Sequence, residues 1–528
     1  MSREAAPRVV ALRIPDLPLQ RVLRGRAPAA SGEGVDAGPS RPVAVSAEGR
    51  VLCADAAARA EGVRPGATLP EALAACGRLE VIPADPIADA AALRALAEAL
   101  LALAPAVELA GPDAILLDAS AAHLVSGSPS PRLSSDLHGA AREAEERLAR
   151  RAVAVARDMG YAGRAAVATG RGPARALAQC CPDAVMWVAP DGAAQAIGAL
   201  PVTALGLGPE VAARLAALGV DRAAALARLP EGTLAHRFGP AGVLAARLAR
   251  GEDDSPLVPY APQTLPEEAL DLEGPAETAE PLLFALKRLA DRVAARLAGR
   301  GLGATRLRVI LRLDPRGEER LEVPLASPTA AAGRWLLPLK EHLFSLRLPA
   351  AVVALRLLAV EVATVAPEQL AIGDRPEALA ALEGVLARLA VRLGDGALFA
   401  AEPVDRHRPE GAYRAVPFRA GGRRRGPGAR AAPAGPPEGE APPPRPTRLL
   451  AVPAPVVAEG EGGRLTALRV DGRAHAVVAL DGPERLRGEW WAGPFDRDYY
   501  RVRLEGLGDC WVYRDGGDGR LWLHGFFD

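Results

Sequence analysis

Short apolar runs alternate with longer amphipathic stretches along the first third of the chain. Apolar runs bounded by turn residues predict buried strands, and apolar positions at helical spacing predict helices. Residues 106–120, which include the stretch GPDAILLDAS, predict two strands joined by Gly111–Pro112. The other predicted elements are strands at 8–14, 79–85 and 163–170, a strand–turn–strand–helix at 41–63, and helices at 65–76 (N-cap Thr68), 89–105 and 139–158. This alternation predicts an α/β or α+β domain over about 8–170.

The pattern changes twice in the middle of the chain. Residues 200–250 have apolar positions at helical spacing, separated by short glycine-containing turns. Residues 262–366 return to mixed elements in the order βαββαβ, which is the order of a split βαβ module. The predicted bounds within this module are helix 275–301, strands 304–314 and 320–329, helix 331–348 and strand 351–364.

The C-terminal part contains three further segments. A short amphipathic helix is predicted from leucines at helical spacing, namely Leu379, Leu382, Leu386, Leu389 and Leu393. Residues 419–448 are too rich in proline and glycine to pack a core and predict a disordered linker. Aromatic residues concentrate in 449–528 and predict a compact, strand-rich module.

The composition excludes several classes of protein. The 528 residues include equal numbers of acidic and basic side chains, so any nucleic-acid contact must depend on local basic faces. The five cysteines form no CxxC pair, which argues against a disulfide framework or a zinc site. No apolar run reaches the roughly 18 residues of a transmembrane helix, and we expect a cytoplasmic protein.

One part of the helical segment has the pattern of a helix–hairpin–helix. In LPVTALGLGPEVAARLAALGV (200–220), Gly206 and Gly208 precede a helix that ends at Gly219. Glycines let backbone N–H groups approach a phosphate, and a helix N-terminus favours an anion. The pattern therefore predicts a sequence-independent contact with a DNA backbone, with an ordinary glycine-capped turn as the alternative.

Arginines cluster in residues 287–320. Arg306, Arg308 and Arg312 fall on one face of the strand predicted at 304–314, and apolar residues fall on the other. Such a strand can lie against phosphates. A second candidate stripe, on the helix predicted at 275–301, consists of Arg288, Arg292, Arg296 and Arg300. A solvated arginine surface is the alternative for both.

Three strings together resemble the Y-family (translesion) DNA polymerases. VLCADAAARAEGVRPGATLPEA (51–72) is similar to the fingers motif of that family. PAVELAGPDAILLDAS (105–120) resembles the palm motif, and AAVATGRGPARALA (165–178) the segment after it. The resemblance covers about 8–366.

This resemblance implies a multidomain α+β architecture. The implied domains are palm with inserted fingers (8–170, fingers about 16–80), helix–hairpin–helix thumb (171–255), βαββαβ little finger (262–366), a loop and helical extension (367–418), the linker (419–448) and the aromatic C-terminal module (449–528).

The catalytic positions depart from the family pattern. A Y-family polymerase holds two Mg²⁺ ions with an acidic residue on its first strand and an Asp-Glu pair on the palm hairpin. The matching positions here are Arg13, Asp113 and Ala114. Asp16 lies beyond Pro15 and does not replace the first acid. Asp118 matches a structural Leu-Asp of the family, and in a strand it points away from Asp113.

The triphosphate site is also reduced. Arg59 matches the fingers arginine, but Ala56 stands at the family's tyrosine position. The lysine that binds phosphate in the family corresponds to Pro173 or a neighbour. The resemblance thus implies a protein without catalytic residues, metal or cofactor, with Mg²⁺ required only if an active site exists after all.

The end of the chain carries a more specific resemblance. DGPERLRGEWWAGPFDRDYYRV (481–502) and WLHGFFD (522–528) are similar to the end of the ImuB family, the inactive Y-family branch of bacterial ImuA–ImuB mutagenesis cassettes. This resemblance implies a DNA-binding adaptor of SOS mutagenesis. It would link an error-prone C-family DNA polymerase and a RecA-like ImuA partner to the sliding clamp.

Two sets of residues are candidate protein contacts. In PEQLAIGD (367–374), part of a clamp-binding peptide is matched by Gln369, Leu370 and Ile372, without its aromatic anchor, and a plain loop is the alternative. The candidate partner contacts of the C-terminal module are Trp490, Trp491, Tyr499, Tyr500 and Trp522. Filling a small β core is the alternative for these aromatics.

Two other functions stay open on sequence alone. One is an active Y-family polymerase that uses Asp16 and Asp113 in a shifted geometry. The other is a structural DNA-repair protein that acts independently of the clamp.

Overall fold

The chain folds into two compact units, Met1–Leu393 and Gly394–Asp528. A computed structural model describes residues 6–27, 41–125, 137–253, 255–365, 397–417, 445–461, 464–491 and 493–527, with five helical positions between 382 and 393. Within these residues, no helix has both the length and the apolar character needed to cross a bilayer.

A five-stranded sheet forms the centre of the first unit. Its strands, in spatial order, are β6 (Val107–Leu109), β7 (Ala114–Asp118), β1 (Arg8–Arg13), β8 (Arg164–Thr169) and β9 (Val185–Trp187). Strand β1 pairs antiparallel with β7 and with β8, and Arg13 lies opposite Ala114. The two strands predicted at 106–120 are confirmed as β6 and β7.

The two faces of β1 bury different parts of the unit. Val10 and Leu12 pack with α4 (Pro86–Leu100) and α6 (Leu137–Asp158). Val9 and Ala11 pack with α7 (Arg171–Cys180) and the helices that follow it. Because side chains alternate along a strand, Arg13 belongs to the same face as Val9 and Ala11.

A smaller α/β segment lies between β1 and α4 in sequence. Its elements are α1 (Leu17–Arg24), β2 (Arg26–Ala27), β3 (Val43–Ala47), β4 (Arg50–Ala54), α2 (Ala56–Ala60), α3 (Leu69–Ala75) and β5 (Glu80–Pro83). Three strands form a sheet in the order β4-β3-β5. The predicted N-cap is confirmed, since Thr68 and Glu71 form a reciprocal capping box at the start of α3.

The segment predicted as all-helical is confirmed. Its helices are α8 (Ala193–Gly198), α9 (Pro209–Ala217), α10 (Ala223–Ala227) and α11 (Glu231–Ala249), with a 3-10 turn at Val202–Leu205. Helix α11 bends at Gly239, whose φ of 66° is accessible mainly to glycine, immediately before Pro240. A short helix, α5 (Ala122–Val125), follows β7.

The βαββαβ order is also confirmed. It consists of β10 (Glu267–Ala276), α12 (Ala279–Gly299), β11 (Leu302–Asp314), β12 (Glu318–Thr329), α13 (Ala332–Ser345) and β13 (Ala351–Thr364). The sheet order is β12-β11-β13-β10-β2, so the short strand β2 extends this sheet. Both helices pack on one face, where Trp335 is fully buried.

The second candidate surface for phosphates, the arginine stripe of α12, was predicted wrongly. Arg292 and Arg296 are buried, and the stripe is directed at α1 and α4. Four-residue spacing identifies one face of a helix, but it does not tell whether that face meets solvent or another element.

The second unit contains a hairpin and a closed barrel. The hairpin pairs β14 (Phe399–Pro403) with β15 (Tyr413–Pro417), so this part of the predicted helical extension is a β structure instead. The barrel strands are β16 (Arg448–Glu461), β17 (Arg464–Val470), β18 (Arg473–Gly488), β19 (Phe495–Leu504), β20 (Gly508–Asp515) and β21 (Leu521–Phe526). Of the predicted linker, residues 419–444 lie outside the described residues.

The aromatic residues of the barrel divide into core and surface. Tyr499 is 1% exposed and stacks on Trp511 with ring centroids 3.9 Å apart. Because the Tyr499 side chain is buried, it lacks the accessible surface that the predicted partner contact requires. Tyr500 and Trp522 are half-buried, whereas Trp490 and Trp491 are 80% and 67% exposed.

Candidate functional site

A cavity of about 500 Å³ opens between the end of β1 and the β3–β4–β5 segment. Charged groups on its wall include Arg13, Asp16 and Asp113. Much of the remaining wall is apolar and includes Leu17, Leu52, Leu93 and Leu109. The cavity wall thus brings together Arg13 and Asp113, two of the three residues that match the family's metal-binding positions, while Ala114 is buried in the core.

Arg13 and Asp113 form an ion pair at the edge of this cavity. The Arg13 Nε donates to Asp113 Oδ2 at 2.8 Å, and Nη1 donates to the carbonyl of Gln179 at 2.9 Å. Both side chains are about one quarter exposed, at 26% and 27%. The pairing of Arg13 with Ala114 across β1 and β7 positions the guanidinium beside the preceding residue, Asp113.

The other two aspartates on the wall are also paired with arginines. Asp16, which caps α1 in a left-handed conformation with φ of 50°, accepts a hydrogen bond from Arg59. Asp89 of α4 accepts from Arg21 of α1 at 2.5 Å. Arg59, the predicted remnant of the triphosphate site, is therefore occupied by a carboxylate of the same chain.

These residues do not fit a pair of Mg²⁺ ions. Mg²⁺ requires oxygen ligands in near-octahedral geometry, and a two-metal site needs several carboxylates facing one another. Here a guanidinium occupies the position facing Asp113, and an alanine stands at the position of the second palm acid. Throughout the described ranges, no group of three or more metal-ligating side chains is found.

The thiol of Cys53, on the cavity wall, is held in its neutral form. Burial, partly offset by a backbone hydrogen bond at Leu19, raises the pKa of the Cys53 thiol to about 11. At neutral pH, Cys53 is therefore a thiol and not a reactive thiolate.

The helix–hairpin–helix glycines are on an open surface. Gly206 ends the 3-10 turn with φ of 75°, Gly208 caps α9, and Gly219 follows α9 with φ of 75°. A Cβ added at any of the three would meet no atom within 4 Å, so the backbone there is open to a phosphate. Two features of the first turn of α9 oppose phosphate binding: Pro209 provides no N–H, and Glu210 adds a negative charge.

The arginines of β11 point away from the core, as their alternation predicts. Arg306 pairs with Glu361 at 3.2 Å, Arg308 with Glu322 at 2.5 Å and Arg312 with Asp271 at 2.9 Å. The face is thus a set of ion pairs and not the purely basic surface that we expected. Exposed pairs of this kind contribute about 0–1 kcal/mol each, so a phosphate can replace the carboxylate at low cost.

The predicted clamp-binding residues Gln369, Leu370 and Ile372 lie outside the described residues. The exposed tryptophans lie between β18 and β19 and contact each other edge to face, with ring centroids 5.6 Å apart.

Sequence reasoning missed the ion pairs formed by Asp16 and Asp89 of the cavity wall. Arg59 and Asp16 are separated by 43 residues, and Arg21 and Asp89 by 68. No local spacing links such residues. The sequence did contain one indication of such pairing. An arginine, Arg13, stands at the position of the first acid in a strand that otherwise resembles the family's palm.

Comparison with known proteins identifies the family. The family model described as impB/mucB/samB matches residues 38–191. The protein ImuB of Caulobacter vibrioides, in the strains NA1000/CB15N and ATCC 19089/CB 15, is 33% identical over 473 residues, which is 84% of this chain and 94% of the relative. The chain belongs to the ImuB family.

Solved structures provide more distant matches to this ImuB-family chain. A Dbh ternary complex is 15% identical, covers 68% of the chain and 100% of its own, and has a TM-score of 0.36. DinB from Sulfolobus solfataricus is 16% identical. The match covers 67% of this chain and 98% of the DinB chain, with a TM-score of 0.36. Family membership and the order of elements give a Y-family polymerase-like α+β fold with an added C-terminal β module.

A metal site engineered at the end of β1 tests the role of the Arg13–Asp113 ion pair. In the double variant Arg13→Asp, Ala114→Glu, the two new carboxylates and Asp113 would lie within reach of one cation, because cross-strand neighbours have Cβ atoms about 5 Å apart. We expect millimolar Mg²⁺ to raise the Tm of this variant, measured by thermal unfolding, and not that of the wild type. Ala114→Glu alone, which keeps Arg13, is the control. A Mg²⁺-dependent rise in the wild type would contradict the ion-pair interpretation.

Proposed function

We propose that this protein is a non-catalytic, Y-family polymerase-like adaptor that binds DNA during translesion synthesis. The observation that carries the proposal is the ion pair of Arg13 and Asp113. A polymerase site must concentrate negative charge to hold cations, and here a positive side chain takes that place. The paired state of Arg59 supports the same conclusion for the triphosphate.

DNA binding rests on two surfaces of the first unit. The open backbone at Gly206 and Gly208 of the helix–hairpin–helix offers N–H groups to one phosphate, whereas the N–H of Gly219 donates to the carbonyl of Ala216. The β11 face offers Arg306, Arg308 and Arg312. Neither surface reads base edges, so the binding is independent of sequence.

The adaptor role extends to protein partners. The family resemblance supports an error-prone C-family polymerase, an ImuA-type protein and the sliding clamp as partners. The peptide Gln369–Leu370–Ala371–Ile372 is our candidate for the clamp contact. Exposed Trp490 and Trp491 are the candidate anchors of the C-terminal module, because large exposed aromatics dominate many protein interfaces.

A primer-extension assay tests the absence of catalysis. We expect no template-directed extension by the wild type with Mg²⁺ and deoxynucleotides, since the site lacks paired metal ligands. Robust extension that Asp113→Ala abolishes would establish an active polymerase instead. Extension that survives Asp113→Ala would indicate a contaminating enzyme.

The salt dependence of DNA binding tests the β11 surface. We expect the triple variant Arg306→Ala, Arg308→Ala, Arg312→Ala to bind duplex DNA more weakly. The slope of log K against log salt should fall in magnitude by about 0.9 for each phosphate that the variant no longer neutralises. Fluorescence anisotropy over a salt series measures both quantities. Arg469→Ala, an exposed and ion-paired arginine of the barrel, is the matched control. An unchanged slope in the triple variant would remove β11 from the DNA surface.

Clamp binding separates an adaptor from a clamp-independent repair protein. We expect the wild type to bind purified sliding clamp and Gln369→Ala to bind it less tightly, because the side-chain amide would lose its hydrogen bonds at the pocket rim. Surface plasmon resonance with immobilised clamp measures the difference. Absence of binding by the wild type would leave DNA binding intact but would exclude the clamp from the proposal.

A further inference from the structure

The arginine stripe of α12 enters a buried network together with α4 and β10. The Arg296 Nε donates to Glu98 Oε2 at 2.8 Å, and Nη1 donates to Glu268 Oε1 at 3.1 Å. Arg300 Nη2 lies 2.9 Å from the same oxygen of Glu98. The side chains of Glu98, Glu268 and Arg296 are 3%, 4% and 9% exposed. Removing one partner from such a network leaves a buried charge without compensation.

The other half of the stripe contacts the end of α1. Arg288 and Arg292 each donate to the backbone carbonyl of Arg24 at 3.2 Å. This carbonyl is at the C-terminus of α1, where the helix dipole favours positive charge. Arg24 reaches back to Glu268 at 3.2 Å and stacks on the ring of Tyr161 at 4.6 Å. Burial and the charge of Arg24 lower the pKa of Arg292 to about 10, so it remains protonated at neutral pH.

Two backbone contacts bring the same elements together. At Gly299 the backbones of α12 and α4 approach so closely that an added Cβ would lie 1.9 Å from the carbonyl oxygen of Glu98. Strand β2, which follows α1, pairs in parallel with β10 through Asp271 and Leu272. The partly buried Ala295 of α12 also packs against the core formed by β1, α4 and α6.

We propose that these contacts lock the βαββαβ segment (267–364) to the central-sheet segment (8–170) in one fixed arrangement. The lock consists of three kinds of contact: buried ion pairs, a helix C-terminus that accepts arginines, and a shared sheet edge. The stripe serves as an internal counter-charge for Glu98 and Glu268 and is unavailable to phosphates. The β11 face is then held at a constant position relative to β1. This inference goes beyond the proposed function and does not depend on DNA binding.

The distance between two labelled helices tests the lock in the full-length protein. Ile87 on α4 and Phe284 on α12 are 81% and 74% exposed, so each can be replaced by a spin-labelled cysteine in a Cys180→Ala background. We expect pulsed electron resonance to give a single narrow distance distribution. Glu98→Gln, which keeps the shape of the side chain and removes its charge, should broaden it. Glu322→Gln removes an exposed acid of the same βαββαβ segment and should not.

A second pair of variants separates loosening of the lock from general damage. Gly299→Ala should force α12 away from α4 and shift the distribution to longer distances. Gly333→Ala on α13, where an added Cβ meets nothing within 4 Å, should leave it unchanged. A broad or two-peaked distribution in the wild type would overturn the proposal, even if a variant fails to fold. So would wild-type distributions in both Glu98→Gln and Gly299→Ala. Loss of DNA binding alone would affect only the proposed function.

Discussion

The buried carboxylate of Glu98 is the constraint on which the arrangement of the first unit depends. It lies on α4 and meets Arg296, Arg300 and the hydroxyl of Tyr260, which come from segments more than 160 residues away in sequence. Breaking a buried pair by removing one partner costs roughly 3–5 kcal/mol. Folded domains are stable by only about 5–15 kcal/mol, so this single side chain affects how several elements are held together.

Pairing between arginines and carboxylates also occurs at the cavity beside β1. Where a Y-family polymerase places carboxylates for metal ions, this chain pairs Arg13 with Asp113. Arginines also neutralise Asp16 and Asp89 on the same wall. The guanidinium is permanently charged and planar, and it satisfies a carboxylate without the hydration shell that Mg²⁺ brings. The charged groups of the cleft therefore balance one another through ion pairs within the chain.

The sequence predicts elements well where periodicity is strong and contacts are local. The strands at 106–120, the N-cap at Thr68 and the βαββαβ order all follow from patterns of residues a few positions apart. The direction in which the α12 arginine stripe points does not follow from local spacing. It depends on the buried contact of Arg296 with Glu98, which lies 198 residues away in sequence. Tyr499 and the hairpin β14–β15 were missed for a related reason. An aromatic side chain such as Tyr499 suits both a small core and an interface. Strands as short as β14 and β15 contain too few alternating apolar and polar positions to be recognised.

At the candidate site, the sequence identified the departures from the family's metal-binding positions but not the ion pairs that form around them. Arg13 and Ala114 are visible as departures from a motif. The pairing of Arg59 with Asp16 requires the chain to fold back over 43 residues, and no spacing rule reports it.

The closed barrel limits how the C-terminal module can meet another protein. Its six strands pair in a ring, so within the barrel β16 and β21 close on each other and no edge strand remains. A ring of this kind cannot accept an additional strand from a partner, which is a common route both to recognition and to aggregation. Within the described barrel strands, recognition must therefore go through side chains and connecting turns, whereas the two-stranded hairpin β14–β15 of the same unit keeps open edges.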